Sequence, residues 1–113
     1  SQTLEEALDG KSGQLKDWYM HNTSHWIGLD VHDVGVYLPN GEPRKLQPGM
    51  CLTIEPGLYF GAWRPDVDCP ERYSNIGIRI EDDVLIGENG PIVLTEMCPK
   101  TITEIELIVG NAI

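Results

Sequence analysis

Histidine occurs only at His21, His25 and His32, three imidazoles within twelve positions of a 113-residue sequence. Imidazole titrates near neutrality and is the commonest protein metal ligand, so the cluster points to proton transfer or metal binding. His21 and His25 are four apart, a spacing that on a helix would aim both rings at one metal. Asn22-Thr23-Ser24 between them are poor helix formers. The zincin pattern also needs a Glu directly after its first histidine, where Asn22 stands, so a helical zinc-protease site is excluded. Presentation from strands is the arrangement left. His25, Glu55 and Glu81 would each project from a strand, and one imidazole with two carboxylates is a hard mixed N/O set suited to Mn²⁺, Co²⁺, Zn²⁺ or Fe²⁺. Each residue also has a plainer reading. Glu55 can be a turn-facing carboxylate before Pro56-Gly57, and Glu81 can open the acidic trio Glu81-Asp82-Asp83 leading into a solvated loop. Arg79 can be the salt-bridge partner of Glu81.

Other constellations are weaker. Ser24 beside His25 lacks the flanking glycines of a nucleophile elbow. Nothing in the strand around Cys51 suggests a lowered thiol pKa. Asn22-Thr23-Ser24 matches a glycosylation sequon, which matters only in a secretory compartment. Cys51, Cys69 and Cys98 are odd in number with no close pair, so they read as free thiols of a reducing compartment.

The elements that must position these side chains follow from periodicity. Thr3 with Glu6 forms a capping-box pattern, predicting a short helix that ends near Gly10 or Gly13. The stretch from Trp18 to Tyr37 reads as strand and irregular loop. Pro39-Asn40-Gly41 and Gln47-Pro48-Gly49 read as turns. In Met50 to Glu55, Met50, Leu52 and Ile54 face one way and Cys51, Thr53 and Glu55 the other. In Ile76 to Glu81 the three isoleucines share a face and leave Gly77, Arg79 and Glu81 opposite. The link from Phe60 to Asn75 is expected to be a surface loop. Val84-Leu85-Ile86, the turn Glu88-Asn89-Gly90-Pro91 and Ile92-Val93-Leu94 predict a hairpin, and Thr101 with Glu104 caps a last helix. Helix, strands, helix suggests α+β with an antiparallel sheet.

Composition narrows the partners. Eight basic and eighteen acidic residues give a formal charge of −10, which excludes a nucleic-acid clamp or an anionic membrane surface as the default partner. With 41% apolar and 23% charged residues the chain is globular. No run approaches the roughly 20 apolar residues of a membrane span, and no export signal is visible, so the cytoplasm is the expected compartment. The length caps the chain at one domain. Its opening, Ser1 running straight into Thr3-Leu4-Glu5-Glu6-Ala7-Leu8, looks like a cut made mid-element.

Four ordered motifs are also familiar: His21 to Gly35 (HNTSHWIGLDVHDVG), Leu46 to Met50 (LQPGM), Thr53 to Tyr59 (TIEPGLY) and Gly77 to Asp83 (GIRIEDD). Together they closely resemble the C-terminal half of the catalytic domain of the Xaa-Pro aminopeptidase (aminopeptidase P) family, from about Trp18 to Ile108. The resemblance implies part of a pita-bread fold, a curved antiparallel sheet with flanking helices. It also implies two divalent metal ions, usually Mn²⁺, held by two aspartates, one histidine and two glutamates. On that pattern His25, Glu55 and Glu81 are metal ligands, and His32 contacts the scissile region. His21 lines the pocket after the cleaved bond, Arg79 braces the carboxylates, and Tyr37 and Tyr59 lie near the site. The implied substrates are peptides with proline in second position, and the implied state is a homo-oligomer. The two aspartates belong to an upstream strand pair. Asp9 and Asp17 are the only candidates ahead of Trp18 and lack that context, and Asp30 and Asp33 are not ligands in relatives. Residues 1–113 are therefore expected to be the C-terminal portion of a catalytic domain, partnered by its remainder and inactive alone.

Xaa-Pro dipeptidases share the ligands but usually read Gly-His-Phe where this chain has Ser24-His25-Trp26. Methionine aminopeptidases read Phe-His-Glu where it has Val31-His32-Asp33. A metal-free interaction domain is disfavoured by the joint presence of His25, Glu55, Glu81 and His32.

Overall fold

The computed structural model describes residues 3–9, 13–61 and 64–109. Its helices are α1 (Leu4–Leu8), α2 (Leu15–Trp18) and α3 (Ile102–Ile108), and its strands β1 (Cys51–Ile54), β2 (Gly57–Phe60), β3 (Ile76–Arg79), β4 (Asp82–Gly87) and β5 (Gly90–Val93). The chain divides into two compact units, Ser1–Thr23 with Glu55–Arg79 and Ser24–Ile54 with Ile80–Ile113.

In the first unit the predicted capping box is present. Thr3 Oγ1 accepts the Glu6 N–H, and the Glu6 carboxylate accepts the Thr3 N–H at 2.8 Å. The helix ends at Leu8, earlier than Gly13; Gly10 lies outside the described residues. Trp18, expected in strand or loop, ends α2 instead. Its side chain is buried with its ring centroid 5.1 Å from that of Phe60, and this packing holds the single helical turn in place. The Phe60–Asn75 link is shorter than predicted. Phe60 belongs to β2, which pairs antiparallel with β3 from Gly57 opposite Arg79 to Phe60 opposite Ile76, and a 3₁₀ turn forms at Glu71–Tyr73. Arg64 ties the link to α2, with Nη2 3.1 Å from Asp17 Oδ1.

In the second unit β4 is central, antiparallel to β1 on one side and β5 on the other. The predicted hairpin forms, turning at Glu88-Asn89 with Gly90 at φ +132°. The His25 segment adds an edge to β1: the Ile27 N–H donates to Cys51 O and the Thr53 N–H to His25 O, each at 3.0 Å, around a bridge between Trp26 and Leu52. The buried core residues here are Leu52, Thr53 and Val84. Thr101 caps α3 with the expected box on Glu104.

One strand boundary differs from expectation. The strand predicted from Ile76 to Glu81 stops at Arg79, and Ile80 and Glu81 belong to no ladder. The isoleucine face is also open, with Ile76, Ile78 and Ile80 at 44%, 62% and 47% exposure, because no described residue packs over it. Among the described residues no helix is long and apolar enough to cross a membrane.

Candidate metal centre

Backbone pairing fixes His25 before its ring is considered. Thr53, 1% exposed, donates its N–H to His25 O and accepts the His25 N–H on its hydroxyl at 3.0 Å. The ring Nδ1 lies 3.1 Å from Trp26 O. A carbonyl only accepts, so Nδ1 donates to it; in a neutral ring Nε2 then holds the lone pair, the tautomer a metal ligand needs. A ring nitrogen of His25 and a carboxylate oxygen of Glu81 lie within 4.8 Å of one another, close enough to share an ion.

His32 returns to the same place through a tight loop. The Asp33 N–H donates to Trp26 O at 3.0 Å, and Asp33 Oδ2 accepts the Asp30 N–H at 3.3 Å. These contacts make Asp30 and Asp33 loop formers and bring the His32 ring edge-on to His25, centroids 4.4 Å apart. Tyr37 serves the backbone instead: its hydroxyl accepts the Trp26 N–H at 3.1 Å and its ring stacks on the indole.

In the other unit Glu55 is 6% exposed and donates its N–H to Thr23 O at 2.7 Å. Its partner is Arg79, whose Nη1 lies 3.2 Å from Glu55 Oε2, where a bridge from Arg79 to Glu81 was one expectation. Register explains the choice. Arg79 sits opposite Gly57, so Glu55, two residues before Gly57, is its diagonal neighbour. The Arg79 Nε–H donates to the Tyr59 hydroxyl at 2.6 Å, and that hydroxyl lies 2.9 Å from His21 Nε2. His21 Nδ1 is 2.7 Å from Asn22 O and must donate there. With neutral His21, Nε2 accepts the Tyr59 O–H, and every member of the chain from Asn22 through His21, Tyr59 and Arg79 to Glu55 has a defined role. Tyr59 reaches this position across two glycines. A Cβ on Gly57 would stand 2.6 Å from the Tyr59 hydroxyl, and one on Gly77 2.9 Å from the ring.

Asp17 lies in α2 paired with Arg64, and Asp9 is the C-cap of α1. The sequence reading passed over Thr53 and underrated Tyr59. Thr53 shares the side-chain alternation of Glu55, which is the one local sign it offers.

An imidazole beside one carboxylate, and a second, buried carboxylate held by a half-exposed arginine, are donors that a hard divalent cation fits. The class these features define is a metallopeptidase: residues 1–88 match the model of Metallopeptidase family M24, and the chain belongs to that family. Within it, the chain is 52% identical over 97 residues to the Xaa-Pro aminopeptidase of Escherichia coli (strain K12), covering 86% of this chain and 21% of that protein. The solved Pseudomonas aeruginosa aminopeptidase PepP is similar with a TM-score of 0.75 and 49% identity, over 83% of this chain and 21% of that one. Escherichia coli aminopeptidase P with the inhibitor Pro-Leu is similar with a TM-score of 0.73 and 52% identity, over 83% of this chain and 20% of that one. The chain thus spans about a fifth of the length of these relatives. The expectation of an α+β chain forming part of a pita-bread fold is borne out.

Proposed function

We propose that this chain supplies His25, Glu55 and Glu81 as ligands to a two-metal centre in an Xaa-Pro aminopeptidase, as the C-terminal portion of its catalytic domain. The enzyme removes the first residue from peptides with proline second. The observation that supports this best is the approach of His25 to Glu81: a ring nitrogen of the first and a carboxylate oxygen of the second lie within 4.8 Å of one another, close enough to share a cation. Glu55 offers a buried carboxylate oriented by Arg79.

Two bound divalent ions, Mn²⁺ by the resemblance, would lower the pKa of a water toward neutrality. The chain's own residues do the rest. Arg79 orients the Glu55 carboxylate through Oε2. Glu55 takes a proton from the attacking water and returns it to the prolyl nitrogen, which cannot leave unprotonated. His32, beside His25, donates to the developing oxyanion. His21, held by Tyr59 and Asn22, lines the side of the residue after the cleaved bond. Because a prolyl bond offers no N–H, side chains such as these must recognise it in place of strand-like pairing.

The three free thiols support a reducing compartment, and we assign the protein to the cytoplasm, as the homo-oligomer that the resemblance implies. The test is Mn²⁺-dependent release of the first residue from an Xaa-Pro-Xaa tripeptide by the full-length polypeptide. Activity confined to an Xaa-Pro dipeptide would make it a dipeptidase. Activity of these 113 residues alone would overturn the assignment of two aspartate ligands to the rest of the domain.

A further inference from the structure

Glu81 is exposed, and among the described residues no hydrogen bond or ion pair holds its carboxylate. Neither it nor Ile80 lies in a ladder, so the direction of its side chain depends on the backbone that follows, and the first anchored residue there is Asp82. One side of Asp82 is paired with Ile54. The other side lies beyond the end of β5, where continuing the register of Val84 with Val93 brings Thr95 opposite Asp82. Thr95 fills the gap with its hydroxyl, which donates to Asp82 Oδ1 at 2.6 Å and accepts the Asp83 N–H at 3.0 Å. Lys100 closes the arrangement. Its Nζ lies 2.9 Å from the same Oδ1, 3.0 Å from Thr95 O and 2.9 Å from Cys98 O, so each of the three ammonium N–H groups has an acceptor. The two charged side chains are only 25% and 23% exposed, which leaves the pair less screened than an ordinary surface bridge.

We propose that Lys100 is a positioning residue for Glu81: clamped to Asp82 and to the turn at Thr95–Cys98, it fixes the start of β4 and through it the approach of the neighbouring carboxylate to the metal. This rests on the metal-centre reading above. Lys100 touches no ligand. It acts by committing Asp82 away from Glu81, so that one carboxylate of the acidic trio is presented.

The experiment uses the full-length polypeptide, depleted of metal and reloaded with Mn²⁺, as wild type, K100M, K100R and T95V. In K100M the EPR line of bound Mn²⁺ changes shape and kcat falls about tenfold with KM within about twofold of wild type. K100R keeps the wild-type line. T95V, which removes the hydroxyl at nearly constant volume, shifts the line in the same direction and carries the test if K100M does not fold. A K100M protein with lowered thermal stability but an unchanged Mn²⁺ line would overturn the proposal, leaving Lys100 a merely structural residue. E81Q separates this from the underlying reading: if its Mn²⁺ binding and line match wild type, Glu81 is no ligand and the metal-centre assignment itself falls, whatever K100M does.

Discussion

R79M keeps an aliphatic stem and removes the guanidinium that meets Glu55 Oε2 at 3.2 Å and the Tyr59 hydroxyl at 2.6 Å. Glu55 is 6% exposed and cannot regain full hydration when that partner is lost. Breaking a fully buried ion pair costs about 3–5 kcal/mol. Here the Arg79 side chain is 44% exposed against 8% for Glu55, so the pair is open to water on one side, and about 2 kcal/mol is the expected loss in the metal-free protein. In the metal centre proposed above, a divalent cation on Glu55 would supply positive charge from another direction, so with Mn²⁺ bound the loss would shrink to about 1 kcal/mol. Linkage fixes the sign of the consequence. A variant that metal stabilises more than it stabilises wild type must bind that metal more tightly, by about 1 kcal/mol or roughly fivefold. R79M should therefore hold Mn²⁺ more tightly while turning over more slowly, because the carboxylate has lost its aim. Urea unfolding with and without Mn²⁺, together with direct Mn²⁺ titration, measures both quantities. Equal destabilisation in the two states, or weaker Mn²⁺ binding, would refute the charge argument and leave Arg79 as an orienting group alone.

G57A places a Cβ 2.6 Å from the Tyr59 hydroxyl, so the ring must turn away from Arg79 and His21, at a cost of about 1–3 kcal/mol in urea unfolding. Wild-type stability in G57A would show that the glycine is incidental. T101A removes the cap of α3 and costs about 1 kcal/mol at neutral pH. Its cost should fade in acid. The Thr101 N–H and hydroxyl, with a smaller contribution from the Lys100 N–H, hold the Glu104 carboxyl below its ordinary 4.5, so the stability it gives is present above pH 4.5 and lost as pH falls through the lowered folded value. Asp82 behaves alike around its ordinary 3.8, held down first by the Thr95 hydroxyl and then by Lys100. Unfolding midpoints of wild type and T101A that stay equally separated down to about pH 3 would contradict the capping account. The double variant R79M/K100M should lose the sum of the single losses within about 0.5 kcal/mol, since Arg79 pairs with Glu55 and Lys100 with Asp82.

What was legible in the sequence was local. The capping boxes of α1 and α3 are side-chain and backbone contacts three residues apart, and the β4–β5 hairpin announces itself by two apolar runs around a Gly-containing turn. The ligand candidates were found because alternation sets Glu55 and Glu81 opposite their apolar neighbours. By contrast β2 has no alternation in Gly57-Leu58-Tyr59-Phe60, and it is a strand because β3 pairs with it. The end of β3 at Arg79 left no mark either, since Ile80 continues the isoleucine pattern unbroken. That pattern marks one apolar face, yet the isoleucines are exposed, for periodicity records which face is apolar and not what covers it. Partners such as Asp82 with Lys100, eighteen positions apart, and His21 with Tyr59, thirty-eight apart, depend on register between strands and have no local signature.

The two glutamates are held in opposite ways, and this decides what mutation does to each. Glu55 is buried, its carboxylate gripped by Arg79, so its environment is a balance of charge that a cation can enter or replace. Glu81 is exposed and has no side-chain partner among the described residues, so its environment is a backbone direction set by Asp82, Thr95 and Lys100. Perturbing the first shifts energies of folding and binding, while perturbing the second shifts geometry with little charge left uncompensated nearby. The metal centre proposed above, with one ligand pinned by charge and one by backbone, can therefore lose turnover by two independent routes. Only the route through Arg79 should reverse the usual relation, with tighter metal binding accompanying slower catalysis.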